Sequence, residues 1–65
     1  MSANESLGRA QELAERLRAR LDGLERHAEA GDVDAAVDDL AEIAELAKQI
    51  EAEVQRARAN ADAGA

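Results

Sequence analysis

His27 is the only histidine in the chain, and Glu25 and Glu29 flank it two residues away on either side. Imidazole beside carboxylate is the raw material of metal binding and of proton transfer. A zinc-type site asks for a second His or a Cys, and the sequence has neither. A ferritin-type Glu-x-x-His step is ruled out too, because Leu24 stands three residues before His27. The expectation is a surface histidine near a helix C-terminus, where the helix dipole favours it.

Carboxylates offer the second candidate chemistry. Asp32, Asp34, Asp38 and Asp39 are spaced like the start of a calcium loop. Counted from Asp32, the sixth and twelfth positions hold Val37 and Ile43, where an EF-hand needs Gly and a bidentate Glu. The cluster is better explained as negative charge at a helix N-terminus. Asp34, Asp38, Glu42 and Glu45 share one helix face, either solvated or set against a basic surface. Nucleophilic catalysis finds no Cys or Tyr, and Ser2 and Ser6 stand far from His27 along the chain. Glycines at 8, 23, 31 and 64 are too scattered for a phosphate loop. No catalytic residue, metal or cofactor is expected.

The elements that would position these groups are legible in a seven-residue repeat. Leu7, Ala14, Leu21 and Ala28 hold one heptad position, and Ala10, Leu17 and Leu24 the other. After Gly31-Asp32, the ladders are Val33, Leu40, Ala47, Val54 and Ala61, and Ala36, Ile43, Ile50 and Ala57. Such 3-4 spacing predicts one apolar stripe on each of two helices, hence an all-α, coiled-coil-like antiparallel two-helix hairpin. Residues 1–4 read as an N-terminal cap, with Ser2, Asn4 and Ser6 as rival N-caps. Helices are expected over 5–30 and 33–60, joined by a turn at 31–32, with 61–65 a frayed tail. Folding at the turn sets residues whose numbers sum to about 64 opposite one another, such as Ala14 with Ile50 and Leu17 with Ala47.

Composition narrows the function. The chain has 65 residues, no aromatic side chain, no Cys and a formal charge of −7. That charge opposes direct contact with nucleic acid or an anionic membrane, and bases would find no aromatic platform to stack on. With neither a ~20-residue apolar run nor a signal-peptide core, the expected location is the cytoplasm. Sixty-five residues with alanine at nearly half the stripe positions make a poor core for a lone hairpin. Val37, Ala44 and Leu46 flank the second stripe and Leu13 the first, as a second buried face would require. A four-helix bundle made from two hairpins would use them.

The segment from Gly31 to Arg58 resembles the small subunit of bacterial exonuclease VII. The resemblance rests on Asp34-Ala35-Ala36-Val37 after the turn, then Glu45-Leu46-Ala47-Lys48, Glu51 and Val54. The chain departs from that family at Leu40, where an aromatic is usual, and at Ile43 or Ala44, where a Gly is usual. The resemblance implies a non-catalytic hairpin that packs on long helices of a nuclease-bearing large subunit.

Three functional expectations follow. The first is a non-enzymatic hairpin module that self-associates as a homodimer or packs on helices of a larger subunit, as a scaffold or regulator. The others are the accessory subunit of an exonuclease VII-like nuclease and an acidic decoy that mimics nucleic acid. The expected interaction residues are Leu17, Leu21, Leu24, Leu40, Ile43, Ile50 and Val54.

Overall fold

Ser2 wins the competition to start the first helix. Its backbone is extended and its hydroxyl accepts a hydrogen bond from the Glu5 amide at 3.1 Å, satisfying one of the amide donors that a helix start leaves without a partner. In this computed structural model, which describes residues 2–63, the first helix runs Ala3–Glu29 (α1) and the second Val33–Ala63 (α2). α1 therefore begins two residues earlier than the apolar pattern suggests. α2 continues through Ala63, because alanines at 61 and 63 keep up the helical preference set before them. Met1, Gly64 and Ala65, part of the expected cap and tail, lie outside the described residues.

The turn is built from one residue with a left-handed backbone. Gly31 has φ +74°, a conformation that costs any residue with a Cβ about 1–2 kcal/mol. Its amide donates to the Ala28 carbonyl, and the Asp32 amide donates to the His27 carbonyl at 2.9 Å. This crossed pair is the Schellman arrangement that closes a helix C-terminus. Asp32 then opens α2: its Oδ1 accepts from the Ala35 amide at 3.1 Å. One residue thus closes α1 and caps α2, which makes the reversal tight.

The helices pack along their full length into an antiparallel hairpin whose Cα envelope measures 51 × 14 × 12 Å. Cross-helix neighbours set the register. Arg9 meets Glu53, Arg20 meets Glu42, and Gly23 faces Asp39; each pair sums to 62 rather than 64. The two-residue difference follows from the turn, which is centred on Gly31.

One of the two expected ladders on each helix turns out differently. Ala10, Leu17 and Leu24 on α1 are buried or half-buried, and so are Ala36, Ile43, Ile50 and Ala57 on α2. The second inward ladder is not the expected one but its neighbour by one residue. On α1 it is Ser6, Leu13 and His27, with Arg20 on the same line but exposed; on α2 it is Asp39, Leu46, Glu53 and Asn60. Leu7, Ala14, Leu21 and Ala28, with Val33, Leu40, Ala47, Val54 and Ala61, are left exposed.

Candidate functional site

The inward ladder of α2 alternates charge and bulk: Asp39 is 2% exposed, Leu46 6% and Glu53 7%. The two carboxylates stand fourteen residues apart, about 21 Å at 1.5 Å per residue, and each is clasped by cations from α1 or from its own helix.

Near the turn, His27 Nδ1 lies 2.5 Å from Asp39 Oδ2, and Arg20 Nη1 lies 3.4 Å from Oδ1. Arg20 also reaches Glu42 at 3.9 Å. The His27 hydrogen bond holds the Asp39 carboxyl below its ordinary pKa; burial opposes this, while the charge of His27 and then the Arg20 contact reinforce it. Gly23 is part of this cluster. A Cβ there would meet the Asp39 carboxylate oxygens at 3.7–3.8 Å, ordinary contact distance. Its lack of a side chain exposes a flat stretch of α1 to the buried carboxylate.

At the open end, Arg9 Nε lies 3.3 Å from Glu53 Oε1, and Arg56 Nη1 lies 2.5 Å from the same oxygen. Arg9 is the main cause of a lowered Glu53 pKa, with burial acting against it and Arg56 and the Ser6 hydroxyl assisting. Ser6 is wholly buried beside Glu53. Its Oγ and Glu53 Oε2 lack any protein partner within full hydrogen-bond geometry.

Both clusters work in the same way. The carboxylate is nearly dry while the cation is half wet: side chains of Arg9, Arg20 and His27 are 40–48% exposed. Long basic side chains lie over the carboxylates and keep their outer halves in water, so most of the desolvation falls on one partner. His27 is therefore not the plain surface histidine expected from its place near the helix end. It is half-buried and bound to Asp39. A His-Asp pair can orient an imidazole as a base, but it needs a hydroxyl or thiol within reach to act as nucleophile. Ser6 belongs to the other cluster, three heptads from His27 along α1.

The expected interaction residues divide between two places. Leu17, Leu24, Ile43 and Ile50 are half-buried in the seam between helices. Leu21, Leu40 and Val54 are 42%, 53% and 38% exposed. With Leu7, Val33 and Val37 they make up the exposed large hydrophobics of the described chain. All lie on one side. On α2, Val33, Val37 and Val54 fall within about 60° of Leu40 at 100° per residue. None of the six borders the two polar grooves on the opposite side, which are lined by Arg9, Arg16, Arg20, Arg26, His27, Asp39, Glu53 and their neighbours. Asp39 and Glu53 had not stood out as a pair in sequence. The signal was there, as acids at one heptad position of α2 and Arg20 and His27 at the facing position of α1.

Among the described residues, no three His, Cys, Asp or Glu side chains converge as a metal site, and no helix is long and apolar enough to cross a membrane. Set against known protein families, characterised proteins and solved structures, the chain matches none of them.

Proposed function

We propose that this chain is a non-enzymatic helical-hairpin interaction module that works by packing its apolar side on other helices. One observation carries the reading: the six large exposed hydrophobics are gathered on a single side instead of being scattered. Scattered apolar residues are normal on any surface, but large ones gathered on one side mark a site of association. On the polar side, Arg9, Arg20, His27 and Arg56 are engaged with Glu53, Asp39 and Glu42. A nuclease accessory subunit would use the same face, laid against long helices of its large subunit.

Site-specific photo-crosslinking in cells tests the module. A photo-reactive leucine analogue at position 40 is expected to crosslink to another polypeptide, whereas the same analogue at Gln49, on the polar side, is not. The mass of the adduct separates a second copy from a larger subunit. Equal labelling at both positions, or none at position 40, would overturn the reading.

A further inference from the structure

Resting on that reading, we infer that the occupant of the apolar face is a second copy of this chain, docked with both turns at the same end and with α1 of each hairpin over α2 of the other.

Size supports a copy as the partner. The hairpin's broad side measures 51 × 14 Å between Cα limits, about 700 Å² in projection. A stable dimer of standard size buries ~800 Å² per partner. Two such faces laid together therefore make an interface of ordinary area, with Leu7, Leu21, Leu40, Val54 and the ladder alanines interleaved with Glu25 on α1 and Glu51 and Arg58 on α2.

Charge chooses the orientation. α1 carries five Arg against six carboxylates, net −1, while α2 carries one Lys and two Arg against eight carboxylates, net −5. A dyad across the helices would stack α2 on α2, the two most acidic elements. A dyad along the helices stacks α1 on α2 and avoids that repulsion.

The ends agree. Val33 and Val37, exposed by 69% and 57%, stand at the turn end of the face. The arrangement with both turns together sets them over Leu21 and Ala28 of the partner copy's α1. On α2, Asp34 and Asp38 stand off this face, about 120° and 160° from Leu40, while on α1 Glu25 stands on it, about 40° from Leu21. In this arrangement the hairpin register sets Leu21 within one residue of the level of Leu40 of the partner copy, and Ala14 within one residue of the level of the partner's Ala47.

Because the chain has no cysteine, single Cys variants and a short bismaleimide can test this directly. Leu21→Cys mixed with Leu40→Cys is expected to give at least tenfold more crosslinked dimer than either variant alone. Ala14→Cys alone is expected to give little, whereas a crossed dyad would bring that residue against its own copy. Strong Ala14→Cys self-crosslinking would overturn the orientation. Sedimentation equilibrium of the unmodified chain should give a dimer with Kd in the micromolar range. A helical monomer, with Kd weaker than ~100 µM, would overturn self-docking, while a photo-adduct from position 40 to a different chain would leave the module reading intact.

Discussion

Arg20 and Leu21 are neighbours in sequence, as are Asp39 and Leu40, yet each pair is split between opposite sides of the hairpin. Arg20 closes over Asp39 in the polar groove. Leu21 and Leu40 stand in the open on the other side. A simple hydrophobic argument would rotate each helix by about half a residue and bury the leucines between them. The structure does the reverse, and the thinness of a two-helix seam explains why. No point in such a seam is far from water, so a carboxylate can sit there beneath a half-wet cation at tolerable cost. The apolar side, once covered by a partner, would be dry, and an ion pair there would be far more expensive. The seam thus mixes Leu17, Leu24, Ile43, Leu46 and Ile50 with the covered carboxylates of Asp39 and Glu53, while Leu21 and Leu40 stand on the open side.

The sharpest way to break this contrast is to place the same charge on either side. Ile43→Asp, in the seam, should cost about 3 kcal/mol or more and abolish helical structure by circular dichroism, because so small a hairpin has little stability to lose. Leu40→Asp, on the open side, should keep more helix per mole than Ile43→Asp while losing association. Equal loss of helix in both would show that the two sides are not separate.

Acid should come next in size. Asp39 and Glu53 have folded pKa values below their ordinary ones. Their stabilisation is thus present above the unfolded values of about 3.9 and 4.3, and it is lost as pH falls through the lower folded values. The thermal midpoint should fall as pH drops below about 4.5, and Asp39→Asn combined with Glu53→Gln should flatten that fall. A midpoint that rises on acidification with a parallel profile in the double variant would mean that relief of the −7 charge outweighs the two clusters.

Glycine substitutions give the smaller tests. Gly31→Ala forces a Cβ into a backbone with φ +74° and should cost about 1–2 kcal/mol in chemical denaturation. Gly23→Ala should act in the opposite direction. Its Cβ fits at ordinary contact distance from Asp39, and the better helix former should add about 0.5–1 kcal/mol. A loss at position 23 would mean that the buried carboxylate needs the bare backbone.

Much of the fold is legible in the amino-acid sequence. Gly31-Asp32 announces the reversal because few residues accept a left-handed backbone and few cap a helix so well. The first helix start is legible only to within a few residues, because Ser2, Asn4 and Ser6 are all able to cap it, and the structure uses Ser2. The heptads place Leu17, Leu24, Ile43 and Ile50 in the seam because 3.6 residues per turn leaves them no other common face. The second ladder could not be read this way. An apolar count favours Leu7, Leu21, Leu40 and Val54, and it discounts Ser6, Arg20, His27, Asp39 and Glu53 as polar.

Composition and periodicity therefore determined that there are two helices, where they turn, and one of the two lines along which they meet. These follow from local preference and helical geometry alone. Only the tertiary structure decided the rotation of each helix about its axis. That choice depends on pairs that are distant in sequence: Arg9 with Glu53, and Arg20 and His27 with Asp39. A buried carboxylate is acceptable only where a cation from the other helix can cover it. Whether one can is settled by the register and approach of the two helices, which no single segment of the chain contains.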